Sequence, residues 1–354
     1  MAGKMNTKRG IAVKITYMMF LLPLLAWISS CHNSVGPVID RQPGSRNYTW
    51  YVDTINTPEN TITSLDGVSD TNVWATSWAG DFKLTVWHFD GTRWSTDSVY
   101  RMVSPHRIRV FSATSQWIVG GDGAIWNNSG AGWNEQGNAG LNNILEDIDG
   151  YAGNNLYAVG EYFDSVDNAH PIVYRQNGSV WMKVNTRDIL DCVFNDIRFY
   201  APGRALIWSL KSLPDGSVLD SNKIFTLDGA NLEEIYSDVE ARGKSSGFAT
   251  ISGGIVVLEG RKLILMNSVE EENLTTIEEP NLGGFIEARS TEDVFLTMTD
   301  GVAHYNGTDV RYLFKFPNPN IHVTFIKAFP GSVFISANDW VTRANFIYRG
   351  YLQQ

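Results

Sequence analysis

The stretch YFDSVDNAH, residues 162–170, carries the side chains of this sequence that come nearest to a ligand or metal site. The carboxylates of Asp164 and Asp167 give this stretch a resemblance to a calcium loop. A calcium loop, however, places oxygen ligands at alternate positions before a glycine, and this register is missing. We therefore interpret Tyr162, Asp164, Asp167 and His170 as candidate binding residues on a solvated loop, and we expect no metal there.

Two further histidines occupy equivalent positions in a repeated hairpin. His88 and His304 each stand two residues before an Asx-Gly turn, but in different repeats. A ligand pair would have to share one site, so we expect exposed strand positions that tolerate polar residues. His32, His106, His170 and His322 show no ligand spacing, and we predict neither a metal nor a cofactor.

Trp78 stands at the end of a strand-like segment, where its indole could bind a glycan or a peptide. Packing between neighbouring sheets is the alternative reading for any one tryptophan in a chain that has 12 of them. We retain Trp78 as a fifth candidate binding residue.

Patterns typical of catalysis are missing from the sequence. GDGAIW, residues 121–126, is the nearest match to the Asp-box of sialidases and lacks its hydroxyl residues. We find neither a nucleophile elbow nor a glycine-rich phosphate loop after a strand, and we assign no catalytic residue. A secreted enzyme acting on polysaccharide stays the alternative, and it would need several carboxylates or arginines converging over a central channel.

These candidates must be positioned by a repeated unit of roughly 40–50 residues, a length typical of four-stranded propeller blades. Its first mark is a buried strand with an apolar pair, and it occurs seven times. The pairs are Val73-Trp74, Gln116-Trp117, Leu156-Tyr157, Leu206-Ile207, Ile255-Val256, Val294-Phe295 and Val333-Phe334. Seven marks predict seven blades.

The second mark is a hairpin with an Asx-Gly turn, which accepts a positive φ. Apolar residues fill consecutive positions before the turn, so both faces of the strand are covered, as in a blade between two neighbours. The turns are Asp90-Gly91, Asn177-Gly178, Asp228-Gly229 and Asn306-Gly307, with Ser129-Gly130 as a looser copy.

The blades resemble bacterial secreted propeller repeats that combine a VWAxG-like strand with a DGxxW turn. TNVWATSWAG, NNLYAVGEY and FDGTRW carry the resemblance, whereas LIWSL and GIVVLEG in blades four and five depart from it. The resemblance implies a propeller with an extracytoplasmic role and no single activity, because such propellers host many functions.

The N-terminus predicts export and lipidation. Basic residues precede an apolar run at residues 15–28 that is too short for a comfortable membrane span. Ile28-Ser29-Ser30-Cys31 resembles a lipobox, which implies that residues 1–30 are a lipoprotein signal peptide and that Cys31 carries lipid. An ordinary signal peptide with a coincidental cysteine is the alternative. Because residue 32 is His rather than Asp, we expect the bacterial outer membrane.

The net charge of the chain restricts the classes of partner, and its cysteine content restricts the role of Cys192. The formal net charge is −10, and removing residues 1–30 would take away four basic residues and no acid, giving about −14. An acidic chain without a basic cluster is a poor nucleic-acid binder. Cys192 would then be the remaining cysteine, and we expect a small buried hydrophobe.

We therefore predict an all-β, seven-bladed β-propeller of four-stranded antiparallel blades at residues 47–354, behind a flexible tether at residues 31–46. The strand NYTWYVDT, residues 47–54, should complete the last blade, with Trp50 as its anchor. The predicted function is a non-catalytic binding or assembly module, anchored to the envelope membrane by lipid, which recognises a protein or a glycan through loops on one face. Long segments near residues 161–171, 211–222, 238–246 and 270–284 are the expected loops.

Overall fold

The computed structural model describes residues 44–353, apart from residues 56, 58–59, 79, 152–154, 166–167, 187–188, 190–191, 213–218, 239–244 and 268–270. The predicted signal peptide, Cys31, Asp167 and most of the predicted tether lie outside this set. The propeller belongs to one compact unit, Arg41–Gln354. Within the described residues, none of the helical structure is long and apolar enough to cross a membrane.

Seven four-stranded antiparallel sheets form the blades, which confirms the predicted fold. Blade 1 contains β2 (Thr61–Ser69), β3 (Asn72–Trp78), β4 (Val86–Phe89) and β5 (Trp94–Thr96), and blade 2 contains β6 (Pro105–Ser112), β7 (Ser115–Gly120), β8 (Ala124–Asn128) and β9 (Trp133–Asn138). Blade 3 contains β10 (Asn143–Asp149), β11 (Tyr157–Phe163), β12 (Ala169–Asn177) and β13 (Val180–Lys183), and blade 4 contains β14 (Val193–Ala201), β15 (Arg204–Ser212), β16 (Leu219–Asp228) and β17 (Asn231–Asp238).

Blade 5 contains β18 (Ser245–Ile251), β19 (Gly254–Gly260), β20 (Lys262–Met266) and β21 (Glu271–Thr276), and blade 6 contains β22 (Leu282–Ser290), β23 (Asp293–Met298), β24 (Gly301–Tyr305) and β25 (Val310–Lys315). Blade 7 contains β26 (Ile321–Phe329), β27 (Ser332–Asp339), β28 (Asn345–Leu352) and the N-terminal strand β1 (Tyr48–Ile55). One 3₁₀ turn, Gly121–Gly123, lies between β7 and β8.

The second strands of the blades are deeply buried and carry the predicted apolar pairs, apart from Leu156, which directly precedes β11. All residues of β27 and β23 are buried, so both faces of these strands are covered by neighbouring blades. Cys192 is 1% exposed and belongs to a cluster shared by blades 3 and 4, which confirms its interpretation as a buried hydrophobe.

The ring is closed by its N-terminal strand, as predicted. β1 pairs antiparallel with β28, and Trp50 lies opposite Gly350. The Trp50 ring covers this glycine so closely that an added Cβ would lie 2.8 Å from it. The same ring packs edge-on against Phe314 of blade 6, with centroids 4.8 Å apart. This aromatic residue of the N-terminal strand thus contacts both blade 7 and blade 6, and β1 supplies the fourth strand that completes blade 7.

The Asx-Gly turns lie between the third and fourth strands of their blades, and their glycines have positive φ. In the Asp90-Gly91 turn the carboxylate Oδ1 accepts the backbone N–H groups of Thr92 and Arg93, at 2.8 and 2.9 Å. The side chain of the Asx residue therefore caps the turn, while the glycine after it adopts the positive φ that the turn requires.

Three expectations require correction. His304 is buried rather than exposed, and its Nε2 lies 2.7 Å from Asp293 Oδ1. Arg46, at the end of the predicted tether, is not free of contacts, because it donates to the His304 carbonyl and forms an ion pair with Asp309 at 2.7 Å. Residues 271–276, predicted as part of a loop or wet face, form the outer strand β21.

Candidate functional site

Bulges on the innermost strands build the rim of the central channel. The pairing between first and second strands shifts by one residue at Thr63, His106, Glu146 and Asn195 in blades 1 to 4. A bulge re-aims the extra residue relative to the regular ladder. The four side chains consequently meet at the end of the channel where first strands begin and second strands end, which is the face opposite the Asx-Gly turns.

We call the cavity at this end the mouth. It has a volume of about 380 Å³ and is lined by Thr63, Trp78, His106, Arg107, Glu146, Asn195 and Phe285. Trp78, which the sequence singled out, ends β3 and is 49% exposed. Packing between blades therefore leaves half of this indole available for a ligand.

The charged side chains of the mouth are held by each other. His106 Nδ1 lies 3.0 Å from Glu146 Oε2. Arg107 Nε lies 3.1 Å from Asp147 Oδ1, and its guanidinium covers the ring of Phe325, 4.8 Å from the centroid. These contacts fix the orientation of the polar groups before any ligand arrives, which lowers the entropic cost of binding.

Below the mouth, the channel is filled by a ring of charges. Equivalent positions on the first strands of blades 1 to 7 carry charges of alternating sign, interrupted by one alanine in blade 5; these residues are Asp66, Arg109, Asp149, Arg198, Ala249, Glu287 and Lys327. Ion pairs link neighbouring blades, for example Arg109–Asp149 at 3.4 Å and Lys327–Asp66 at 2.9 Å. The cavity left beside the ring measures about 20 Å³. Ion pairs between neighbouring blades therefore occupy this level of the channel.

The two carboxyl groups beside Arg198, those of Asp147 and Asp196, differ in their protonation. Burial disfavours ionisation of Asp147, but Arg198 and Arg107 outweigh it and hold the pKa of Asp147 below its usual range. Burial raises the pKa of Asp196, which is hydrogen-bonded to Asp147. A protonated Asp196 can thus donate to an ionised Asp147. Both carboxyl groups contact Arg198, so the convergent charges that an enzyme would use are already engaged with one another.

Glu161 is the residue that sequence reasoning missed. It is 6% exposed, and its Oε2 has no hydrogen-bond partner within the described part of the chain. Burial and the nearby charge of Glu146 raise the pKa of Glu161 to about 8. EYF in β11 looks like an ordinary strand end, and the signal that could have revealed Glu161 is its alignment with Trp78 in the repeat.

The predicted loop residues gather at a second cavity of about 560 Å³ beside blade 3, lined by Tyr162, His170, Pro171, Lys183, Val184, Asn185, Thr186 and Ile189. The Tyr162 and His170 rings stack with centroids 4.8 Å apart, and His170 Nε2 lies 3.0 Å from Asp164 Oδ2. Lys183 Nζ covers the Tyr162 ring at 4.6 Å. The structure thus brings together three of the four predicted loop residues, whereas Asp167 lies outside the described residues and Trp78 belongs to the mouth.

The histidines and acidic residues do not form a metal-binding cluster within the described part of the chain. No three His, Cys, Asp or Glu side chains there come together as a metal site would require. His88 Nε2 bonds Asn72 Oδ1 at 2.9 Å, as His304 bonds the equivalent Asp293. Both histidines therefore tie the third strand of a blade to the start of the second.

Comparison with known proteins places the chain among propellers. No family model and no curated protein matches it. Among solved structures, it is similar to a catalytically inactive virginiamycin B lyase from Staphylococcus aureus solved with quinupristin (TM-score 0.65, 9% identity, 85% of this chain and 99% of that one). It is also similar to YCF48 bound to a D1 peptide (0.58, 15%, 88% and 100%) and to the WD40 β-propeller domain of Doa1 (0.56, 12%, 84% and 96%). At these identities the similarity shows the fold alone.

Proposed function

We propose that the protein is a non-catalytic binding module that holds an extended segment of a partner polypeptide across the mouth. The observation that carries this proposal is the half-exposed Trp78 beside a 380 Å³ cavity whose polar groups are already oriented. A flat aromatic surface next to fixed hydrogen-bonding groups is the usual composition of a small recognition site.

The surroundings of the mouth favour a polypeptide ligand. Loops on the same face expose further apolar side chains: Phe82, Tyr100, Met102, Trp340 and Val341. Such residues are typical of protein interfaces. The YCF48 structure, a propeller similar in fold, contains a bound peptide. The acidic chain, with a net charge of −10, argues against nucleic acid.

Peptide display on the purified protein tests the proposal. We expect selected peptides to lose at least about tenfold in affinity on Trp78→Ala, since truncating a buried aromatic contact costs more than about 1.4 kcal/mol. Val180→Ala is the control, because it truncates a 59% exposed apolar residue beside the turn of blade 3, on the face opposite the mouth. Peptides that bind both variants equally well would place the ligand elsewhere.

We further propose that lipid on Cys31 anchors this module to the bacterial envelope, at the outer membrane. The support is the sequence pattern Ile28-Ser29-Ser30-Cys31 after an apolar run, followed by His32. Labelled fatty acid should enter the wild type but not Cys31→Ala, which should accumulate as precursor. An unlabelled wild type, together with a variant still cleaved after Ser30, would contradict the anchor.

An enzyme acting on polysaccharide is the second candidate, and Glu161 is the observation that favours it. A carboxyl group with a pKa of about 8 beside a second carboxylate, Glu146, is an arrangement used for general acid catalysis. The ion-paired channel and the contact of Glu146 with His106 weigh against it. If the protein releases reducing sugar from envelope polysaccharide and Glu146→Gln abolishes this release, the enzyme proposal would replace the binding proposal.

A further inference from the structure

Glu161 is a buried acid at the mouth end of blade 3 that lacks a cation within ion-pair distance among the described residues. Glu161 is 6% exposed and its Oε2 has no partner in the part of the chain that the structure describes, so burying this carboxyl group costs folding free energy unless a ligand supplies a hydrogen-bond donor. The other buried carboxylates of the channel contact Arg107, Arg109, Arg198 or Lys327. Within the described residues, Glu161 is thus a buried carboxyl group without a neighbouring cation, in a region where the other buried carboxylates each contact one.

The repeat shows where Glu161 lies. It pairs with Ile144 on the first strand of its blade, as Trp78 pairs with Thr61 in blade 1. The two residues therefore occupy the same place on the second strands of their blades, near the end of the strand that borders the mouth. Glu146, which lines the mouth, is close enough for its charge to act on Glu161.

We propose that Glu146 and Glu161 form a subsite for a cationic side chain, a guanidinium or an ammonium group, of the bound polypeptide. This subsite rests on the proposed polypeptide binding and specifies its ligand. A guanidinium presents five N–H donors, which can satisfy Glu161 Oε2 and Glu146 together. Trp78, across the same cavity, offers an aromatic face to a cation.

The existing cations of the mouth do not fill this role. Arg107 is committed to Asp147 and to the ring of Phe325, and His106 contacts Glu146 from the side of blade 2. Ionisation of Glu161 would therefore leave a negative charge without a neighbouring cation in the described part of the chain, which disfavours an anionic ligand group there and favours a cationic one.

Binding of a cation should release a proton. Glu161 is protonated at neutral pH because its pKa is about 8, and a bound guanidinium favours the ionised form, so the proton passes to solvent. The titrating neighbours are Glu146 on β10 and its partner His106 on β6, whereas the residue paired with Glu161 on β12 is Pro171. Affinity should therefore rise with pH, by at most about tenfold per unit, and level off above a pH of about 8.

The test uses Nα-acetyl-L-arginine amide and its uncharged analogue Nα-acetyl-L-citrulline amide as probes, with binding to the purified protein followed by NMR titration. We expect the arginine probe to bind, the citrulline probe to bind at least about tenfold more weakly, and the arginine affinity to fall at least about tenfold in Glu161→Gln. Glu135→Gln, on the exposed outer strand of blade 2, is the matched control and should bind as the wild type does.

Equal binding of the two probes, or equal binding to wild type and Glu161→Gln, would overturn the subsite. Glu146→Gln serves as a second variant, since its half-buried position tolerates the amide. The outcome is separate from that of the polypeptide proposal. Selected peptides that occupy the mouth without Lys or Arg would contradict the cationic subsite alone, whereas arginine binding with no mouth-binding peptide would support the subsite and contradict polypeptide binding.

Discussion

At the scale of single residues, Glu161 should determine part of the pH dependence of stability. Its pKa rises from 4.5 in the unfolded chain to about 8 in the fold, so the native state binds a proton that the unfolded state releases in this range. The free energy of unfolding should therefore fall as pH rises from about 4.5 to about 8, by at most ~5 kcal/mol, and then stay level. Glu161→Gln mimics the protonated acid. The melting temperature of this variant should therefore increase relative to that of the wild type as pH rises across this interval. Parallel pH profiles of the two proteins would show that Glu161 ionises normally.

Arg198 should be the most sensitive member of the charge ring. Arg198→Met leaves Asp147 without one of its two arginines inside the channel, and such a change costs roughly 3–5 kcal/mol. Arg204→Met is the control, because the Arg204–Asp228 pair is exposed and contributes less than about 1 kcal/mol. Urea unfolding measures both, and coincident midpoints of the two variants would show that the ring is not a stabilising network.

At the scale of structural elements, ring closure depends on β1. Trp50→Ala removes the ring that covers Gly350 and contacts Phe314, and it should lower the free energy of unfolding by roughly 2–4 kcal/mol. Val52→Ala, two residues along the same strand and 53% exposed, should change it by less than about 0.5 kcal/mol. Thermal melting distinguishes the two, and equal losses would mean that β1 contributes little to closing the ring.

The elements were predictable from sequence to the extent that the blades repeat. An apolar pair such as Val73-Trp74 indicates a strand that is buried on both faces. A turn such as Asp90-Gly91 indicates a positive φ at the glycine. Both features can be recognised within one strand or one turn. The site depended on longer-range relations. Bulges that turn His106 and Glu146 toward the mouth arise from pairing between strands, and the isolation of Glu161 is visible only once its neighbours are placed. Trp78 was found because an exposed aromatic at a strand end needs no partner to be noticed.

At the scale of the whole molecule, the first described residues of the chain lie on the face opposite the mouth. Arg46 and Gly44 contact Asp309 and Asn306, at an Asx-Gly turn of blade 6, so the chain leaves the propeller on the face opposite the mouth. If lipid is attached at Cys31, as we propose, the anchor connects to this turn face. The mouth would then be presented away from the point of attachment, where an extended partner can reach it.

The most direct test of binding at the mouth is photo-cross-linking in the cells that make the protein. A benzophenone amino acid replaces Trp78 in one strain and Val180, a 59% exposed residue beside the turn of blade 3 on the opposite face, in another. We predict a discrete protein adduct from position 78, reduced by excess of a peptide selected on the purified protein, and none from position 180. Adducts from position 180 alone, or adducts from position 78 that the peptide leaves unchanged, would contradict polypeptide binding at the mouth.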